Sequence, residues 1–138
     1  MDKKTLNQYR ALAKEIPKLK KDIERLLKRL DAIPEMKGKV SKSADEFPYI
    51  QQHITVDVKE PRAATEIKQQ IRYKELRLNK AETDKTRIEK FIAGIEDSTD
   101  RQIFELIFID GMKQYLVGDE VGYSKGRISQ IISSYLKD

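Results

Sequence analysis

The sequence predicts an all-α protein: a long helical hairpin or coiled-coil arm, then a C-terminal three-helix helix-turn-helix module, with room for a short β-hairpin in the linker that interrupts the arm. Three observations carry this. Apolar residues recur at alternating spacings of three and four over residues 2–33 and again over 62–95. Between Gln114 and Leu136 two shorter apolar-periodic segments flank Gly122. Finally, 37% of the 138 residues are charged and only 38% hydrophobic, more charge than one compact core carries, which favours extended helices with solvated faces. The implied organisation is an arm over residues 1–95, with an irregular linker at 34–61, and a module over 96–138.

In the first helix Tyr9, Ile16, Ile23 and Leu30 occupy one seam position and Leu12, Leu19, Leu26 and Ile33 the other. Such a seam suits either a two-stranded coiled coil, and hence a homodimer through the N-terminal helices, or packing on the chain's own second helix. Pro17 interrupts it. A proline inside a helix removes one hydrogen bond and crowds the carbonyl of Ala13, so a kink or restart near Ile16 is expected.

Pro34, Gly38 and the following polar run end the helix and open the linker. Within it Ile54, Val56 and Val58 alternate with Thr55 and Asp57, the period of a half-buried strand, and the EFPYI segment can serve as its short partner. Two strands cannot stand alone, so they must pack on helices or on another subunit. His53 reads as a strand-edge surface residue.

From Arg62 to about Ile95 a second long helix places Ala64, Ile67, Ile71, Leu78, Ala81, Ile88, Ile92 and Ile95 on one stripe. Lys74 and Lys85 fall on the same seam, where they weaken a continuous apolar contact. Gly94 and the acidic string from Glu96 to Asp100 mark the break into the C-terminal module, with Asp97 or Ser98 as the next N-cap. Ile103, Phe104, Leu106, Ile107, Phe108 and Ile109 then make a helix apolar on more than one side. It is the expected core of the module, stopped at Asp110-Gly111.

The last two helices frame a tight turn. Val117 and Val121 lie one turn apart, Gly122 takes the left-handed C-cap, and Ser124 offers its oxygen to the first amides of a helix whose Ile128, Ile131, Ile132, Tyr135 and Leu136 form the buried stripe. At roughly 100° per residue the opposite face carries Gly126, Gln130, Ser133 and Lys137, flanked by Arg127, Ser129 and Ser134. That face is small, polar and basic, with no carboxylate. A helix of this kind fits a major groove of double-stranded DNA. The candidate contacts are Ser124, Lys125, Gly126, Arg127, Ser129, Gln130, Ser133 and Lys137: ammonium groups at either end for phosphates, the Arg127 fork for guanine and the Gln130 amide for adenine. Gly126 permits close backbone approach.

Residues 96–137 resemble the region-four helix-turn-helix of bacterial sigma factors, in the version carried by small phage regulators related to the ArpU and RinA late-gene activators. The resemblance rests on IEDSTDRQIFELIFIDG, with its DxxxR and terminal Gly111, and on VGDEVGYSKGRISQII; the EFPYI and HITV segments extend it to about two thirds of the chain. It implies a phage- or prophage-encoded regulator of late transcription that lacks the other modules of a full sigma factor. Two departures stand out. Gly118 replaces a preferred alanine, expected to weaken its helix by about 1 kcal/mol, and Tyr115-Leu116 replaces a more polar lead-in.

Composition narrows the chemistry. With no cysteine and one histidine the chain offers no disulfide, no thiolate zinc site and no cysteine nucleophile, and no glycine-rich phosphate loop or nucleophile with a base is present. A non-enzymatic protein without cofactor or metal is expected. No apolar run approaches membrane-spanning length and the N-terminus lacks a signal-like segment, so a cytoplasmic protein with no membrane partner is the expectation. The net charge of +5 is uneven: residues 1–40 carry +6, residues 62–95 carry +4 and residues 96–138 carry −3. The reading head is acidic overall. Two alternatives to a DNA-binding transcription regulator therefore stay open. A phage small terminase subunit joins a helix-turn-helix to helical arms but forms a ring of eight or more chains. A protein-interaction module that contacts RNA polymerase would explain the acidic balance.

Overall fold

The structure, a computed structural model, describes residues 1–33 and 62–136. Among them the chain forms six α-helices and no strand: α1 Lys3–Asn7, α2 Tyr9–Asp31, α3 Arg62–Ala93, α4 Ser98–Phe104, α5 Gln114–Val121 and α6 Lys125–Tyr135. A π-helical turn, Glu105–Ile109, continues α4. The β-hairpin expected from EFPYI and HITVDV lies outside the described residues, as does His53. Among the described residues no helix is long and apolar enough to cross a membrane.

The restart expected near Ile16 is absent, because α2 runs through Pro17. The interruption falls at Gln8, whose N–H bonds the Thr5 carbonyl at 3.1 Å. Pro17 is exposed, so its ring meets solvent, while Tyr9 and Leu19 on either side of it are buried. Packing of the seam outweighs the roughly 3 kcal/mol that an interior proline costs.

Two compact units emerge. The first joins Met1–Lys18 to the chain from Leu78 onward. Its core draws Leu6 and Tyr9 from the N-terminus, Ile88 and Ile92 from α3, Ile103, Phe104 and Phe108 from α4 and the π-turn, and Val117, Ile128, Ile131 and Ile132 from the last two helices. The helical break after Ala93 is therefore a break in the backbone and not in the core. Asp97 makes that break sharp by accepting from Asp100 N–H at 2.9 Å, and the Arg101 guanidinium donates to the Ile95 carbonyl at 2.8 Å. In the π-turn Asp110 N–H reaches back five residues to Glu105, and Met112 N–H six residues to Leu106, closing the helix at Gly111. Phe104 and Phe108 both turn inward, 5.5 Å between ring centroids, and Phe104 meets the Tyr135 ring edge-on. Both phenylalanines are core residues, as their spacing suggested.

Within this unit Tyr9 and α3 meet through an ionic cluster. The Tyr9 hydroxyl donates to Glu89 at 2.7 Å, and Lys85 Nζ lies 3.2 Å from the same carboxylate and 5.5 Å from the Tyr9 ring centroid. This hydrogen bond, with the Lys85 ammonium behind it, holds the Glu89 carboxyl below its ordinary value.

The second unit, Leu19–Arg77, packs Leu26 against Ile67 and Ile71, with Ile23, Leu30 and Ile33 half-buried at the edge. Lys74 Nζ bonds Asp22 at 3.2 Å. Thus both seam lysines sit beside carboxylates: Lys74 bridges to the facing helix and Lys85 pairs along its own. In the second unit α2 and α3 run antiparallel, because rising numbers on one meet falling numbers on the other: 22 with 74, and 26 with 71 and 67. The apolar seam of the first helix is thereby used within the chain.

Candidate nucleic-acid interface

The candidate surface is built on α5, its turn and α6. Gly122 ends α5 in the left-handed region, φ 79° and ψ 25°, and its N–H and that of Tyr123 both bond the Gly118 carbonyl, at 2.8 and 2.9 Å. Only a residue without Cβ sits there cheaply. Ser124 then caps α6 as expected: its Oγ accepts from Arg127 N–H at 3.1 Å. Ile128, Ile131 and Ile132 are buried under the preceding helices. The Tyr135 hydroxyl donates to Asp100 at 2.5 Å and anchors the far end of α6 to α4. That carboxylate, aided by partial burial, pushes the Tyr135 hydroxyl up to about 12.

The outward face of α6 is exposed at each candidate position that is described. Ser124, Lys125, Gly126, Arg127, Ser129, Gln130 and Ser133 are all exposed, whereas Lys137 lies outside the described residues. The side chains of Lys125, Arg127, Gln130 and Ser133 are engaged in no hydrogen bond or ion pair among the described residues. A Cβ built on Gly126 meets nothing within 4 Å, so its backbone is open to a ligand. Two serines are less free. Ser129 donates to Gln114 Oε1 at 3.2 Å, and Ser134 donates to its own helix at the Ile131 carbonyl, 2.7 Å away.

Gln114 is the residue that sequence reasoning missed. It opens α5, whose N-cap Lys113 supplies no side-chain hydrogen bond, and it spans from that helix to the outward face of α6. Its only sequence signal was its place just before Tyr115-Leu116. Both of those side chains are exposed, as is Tyr123 in the turn.

The expectation about Gly118 reverses. Gly118 is buried, and a Cβ there would stand 2.5 Å from the Tyr123 carbonyl oxygen. The turn folds back so closely on α5 that alanine does not fit without moving backbone. Glycine is here the residue the turn needs, and not a weak point of the helix.

The module's acidic groups gather elsewhere. Glu105, Asp110 and Glu120, with Thr99 and Gln102, line a cleft of about 490 Å³ between α4 and α5. Asp119 and Glu120 are exposed, as solvated helix positions should be. No cluster of three or more acidic, histidine or cysteine side chains able to hold a metal ion occurs among the described residues.

Among the described residues the architecture is thus all-helical, ending in a helix-turn-helix with a polar, carboxylate-free outer face. No known protein family, no curated protein and no solved structure matches the chain.

Proposed function

We propose that this protein is a sequence-specific double-stranded DNA-binding transcription regulator whose α6 enters a major groove. One observation carries the reading. The outer face of α6 presents Lys125, Gly126, Arg127, Gln130 and Ser133 to solvent, without a carboxylate, on a helix fixed by a serine cap, a left-handed glycine turn and three buried isoleucines. Those are the physical needs of direct readout: a rigid helix, a fork for guanine, an amide for adenine and a gap for close approach. The resemblance to sigma region four adds phage or prophage origin and action on late genes. The acidic cleft of Glu105, Asp110 and Glu120 favours a further contact with a protein, RNA polymerase in that setting.

The test is selection of bound duplexes from a random pool, followed by affinity measurements on the selected site and on random DNA. Arg127→Ala and Gln130→Ala should each lose about 1 to 3 kcal/mol on the selected site and much less on random DNA. Lys125→Ala should mainly lower the slope of log affinity against log salt, by about one unit. Equal losses on both DNAs would mean that α6 supplies charge without reading sequence. No duplex binding at all would leave protein contact as the function of the module. Mass in solution separates the small-terminase alternative, which requires eight or more chains.

A further inference from the structure

The recognition helix brings little charge to a polyanion. Its described residues carry two cations, Lys125 and Arg127, in a module whose net charge over residues 96–138 is −3. Duplex binding usually rests on several neutralised phosphates, each contributing about 0.9 to the salt slope. The remaining cations have to come from another surface.

Helix α2 has one. Lys14, Lys18, Lys21, Arg25 and Lys28 follow one another at spacings of four, three, four and three, which at about 100° per residue confines them to an arc of roughly 80°. No carboxylate falls within that arc: Glu15, Asp22, Glu24 and Asp31 all project to its sides. The buried seam residues Leu19 and Leu26 lie on the opposite side of the helix, and all five cations are exposed. At 1.5 Å per residue the stretch from Lys21 to Lys28, within the second unit, is about 10 Å long, the rise of roughly three base pairs of a duplex.

A row of lysines is by default a solvated face, and on the other long helix at least four of the nine cations have an ion-pair partner. On α3, Arg62, Lys80 and Lys85 pair with Glu66, Asp84 and Glu89 four residues on, and Lys74 bonds Asp22. On the α2 row only Lys28 has such a partner, Glu24 at 3.7 Å, and both of those side chains are highly exposed. Lys14, Lys18, Lys21 and Arg25 have none among the described residues. Arg10, one turn earlier on the same side, is differently used: its guanidinium lies against Gly111.

We propose that this outer face of α2 is a second duplex-DNA contact, one that grips phosphates without reading bases. It rests on the reading of the chain as a DNA-binding protein and assigns the non-specific part of the affinity to a separate element. The decisive variant is the full-length chain with Lys14→Gln, Lys18→Gln, Lys21→Gln, Arg25→Gln and Lys28→Gln. Glutamine matches lysine and arginine closely in helix propensity, so helicity by circular dichroism should be unchanged. The affinity for a short random duplex, titrated between 50 and 200 mM salt, should show a slope shallower by about four units. The triple variant Lys21→Gln, Arg25→Gln, Lys28→Gln should lose between two and three units and gives a graded test should the larger change disturb folding. A control removes five exposed cations from α3, with Arg62→Gln, Arg72→Gln, Lys80→Gln, Arg87→Gln and Lys90→Gln; it should move the slope by less than one unit. An unchanged slope in the α2 variants, or an equal change in the control, overturns the proposal while leaving the α6 readout standing. Wild-type chain that binds no duplex at 50 mM salt overturns both.

Discussion

Replacing Gly118 by alanine tests the close packing of the helix-turn-helix, because helix propensity and tertiary contact predict opposite signs. Propensity alone favours alanine in a helix interior by about 1 kcal/mol. In the folded chain the new methyl group would stand 2.5 Å from the Tyr123 carbonyl oxygen, about 0.9 Å short of the 3.4 Å at which ordinary contact begins. That oxygen belongs to backbone and cannot rotate aside. The same turn holds the two hydrogen bonds to the Gly118 carbonyl, so opening it lengthens both. Overpacking of this kind costs about 1 to 3 kcal/mol, and with an immovable partner the upper half of that range applies. The net expectation is a loss of about 1 to 2 kcal/mol, or roughly 3 to 10 °C in Tm for a chain of this size. Thermal melts followed by circular dichroism read this directly. Gly126→Ala is the internal reference: it lies on the next helix in open space, where the methyl group meets nothing, and should gain about 0.4 to 1 kcal/mol. A higher Tm for Gly118→Ala, at unchanged helicity, would refute the close approach of the turn to α5. Loss of DNA affinity in the stabilised Gly126→Ala would in turn support close backbone approach at that position.

Further expectations concern the contacts that tie the helices together. Tyr135→Phe keeps the edge-on ring contact with Phe104 but removes the bond to Asp100. Because the folded hydroxyl is raised to about 12 from an ordinary 10, its contribution is present below pH 10 and is lost as pH climbs toward 12; the Tm gap between wild type and variant should close over that window. Tyr9→Phe should cost about 1 kcal/mol at neutral pH. The depressed Glu89 carboxyl contributes above its ordinary value of 4.5, so this gap should narrow as pH falls below that value in an acid titration. Leu26→Glu buries a charge among Ile67 and Ile71, costing several kcal/mol; a drop in helicity is expected, whereas a halved mass in solution with helicity intact would mean that the seam joins two chains.

The sequence was most legible where the governing chemistry spans a few residues. Apolar spacing alone located α2, α3 and the buried stripe of α6, and cap chemistry placed Asp97, Gly122 and Ser124 at their helix ends. The exposed face from Lys125 to Ser133 followed from the same period, since a helix that buries Ile128, Ile131 and Ile132 has no choice about what it shows outward. Pro17 misled because its cost is local while its compensation is not: the helix continues on the strength of seam packing against a partner far along the chain. The bond between Ser129 and Gln114 was hidden for the same reason, as it joins residues on two helices whose crossing no local pattern reveals.

What the sequence determined by itself was therefore an inventory of helices, their ends and their faces, each fixed by i, i+3 and i+4 neighbours and by side chains reaching their own backbone. Only the tertiary structure decided how those faces were used. It set Tyr9 beside Glu89, 80 residues away, and Asp22 beside Lys74, 52 residues away, so that the seam of α2 is packed within the chain. It joined the N-terminal Leu6 and Tyr9 to the core of the helix-turn-helix. It also made Gly118 obligatory, by bringing a carbonyl to within 2.5 Å of where its side chain would be. A periodic apolar stripe states that a partner is required, but only shape and distance across the folded core select which one.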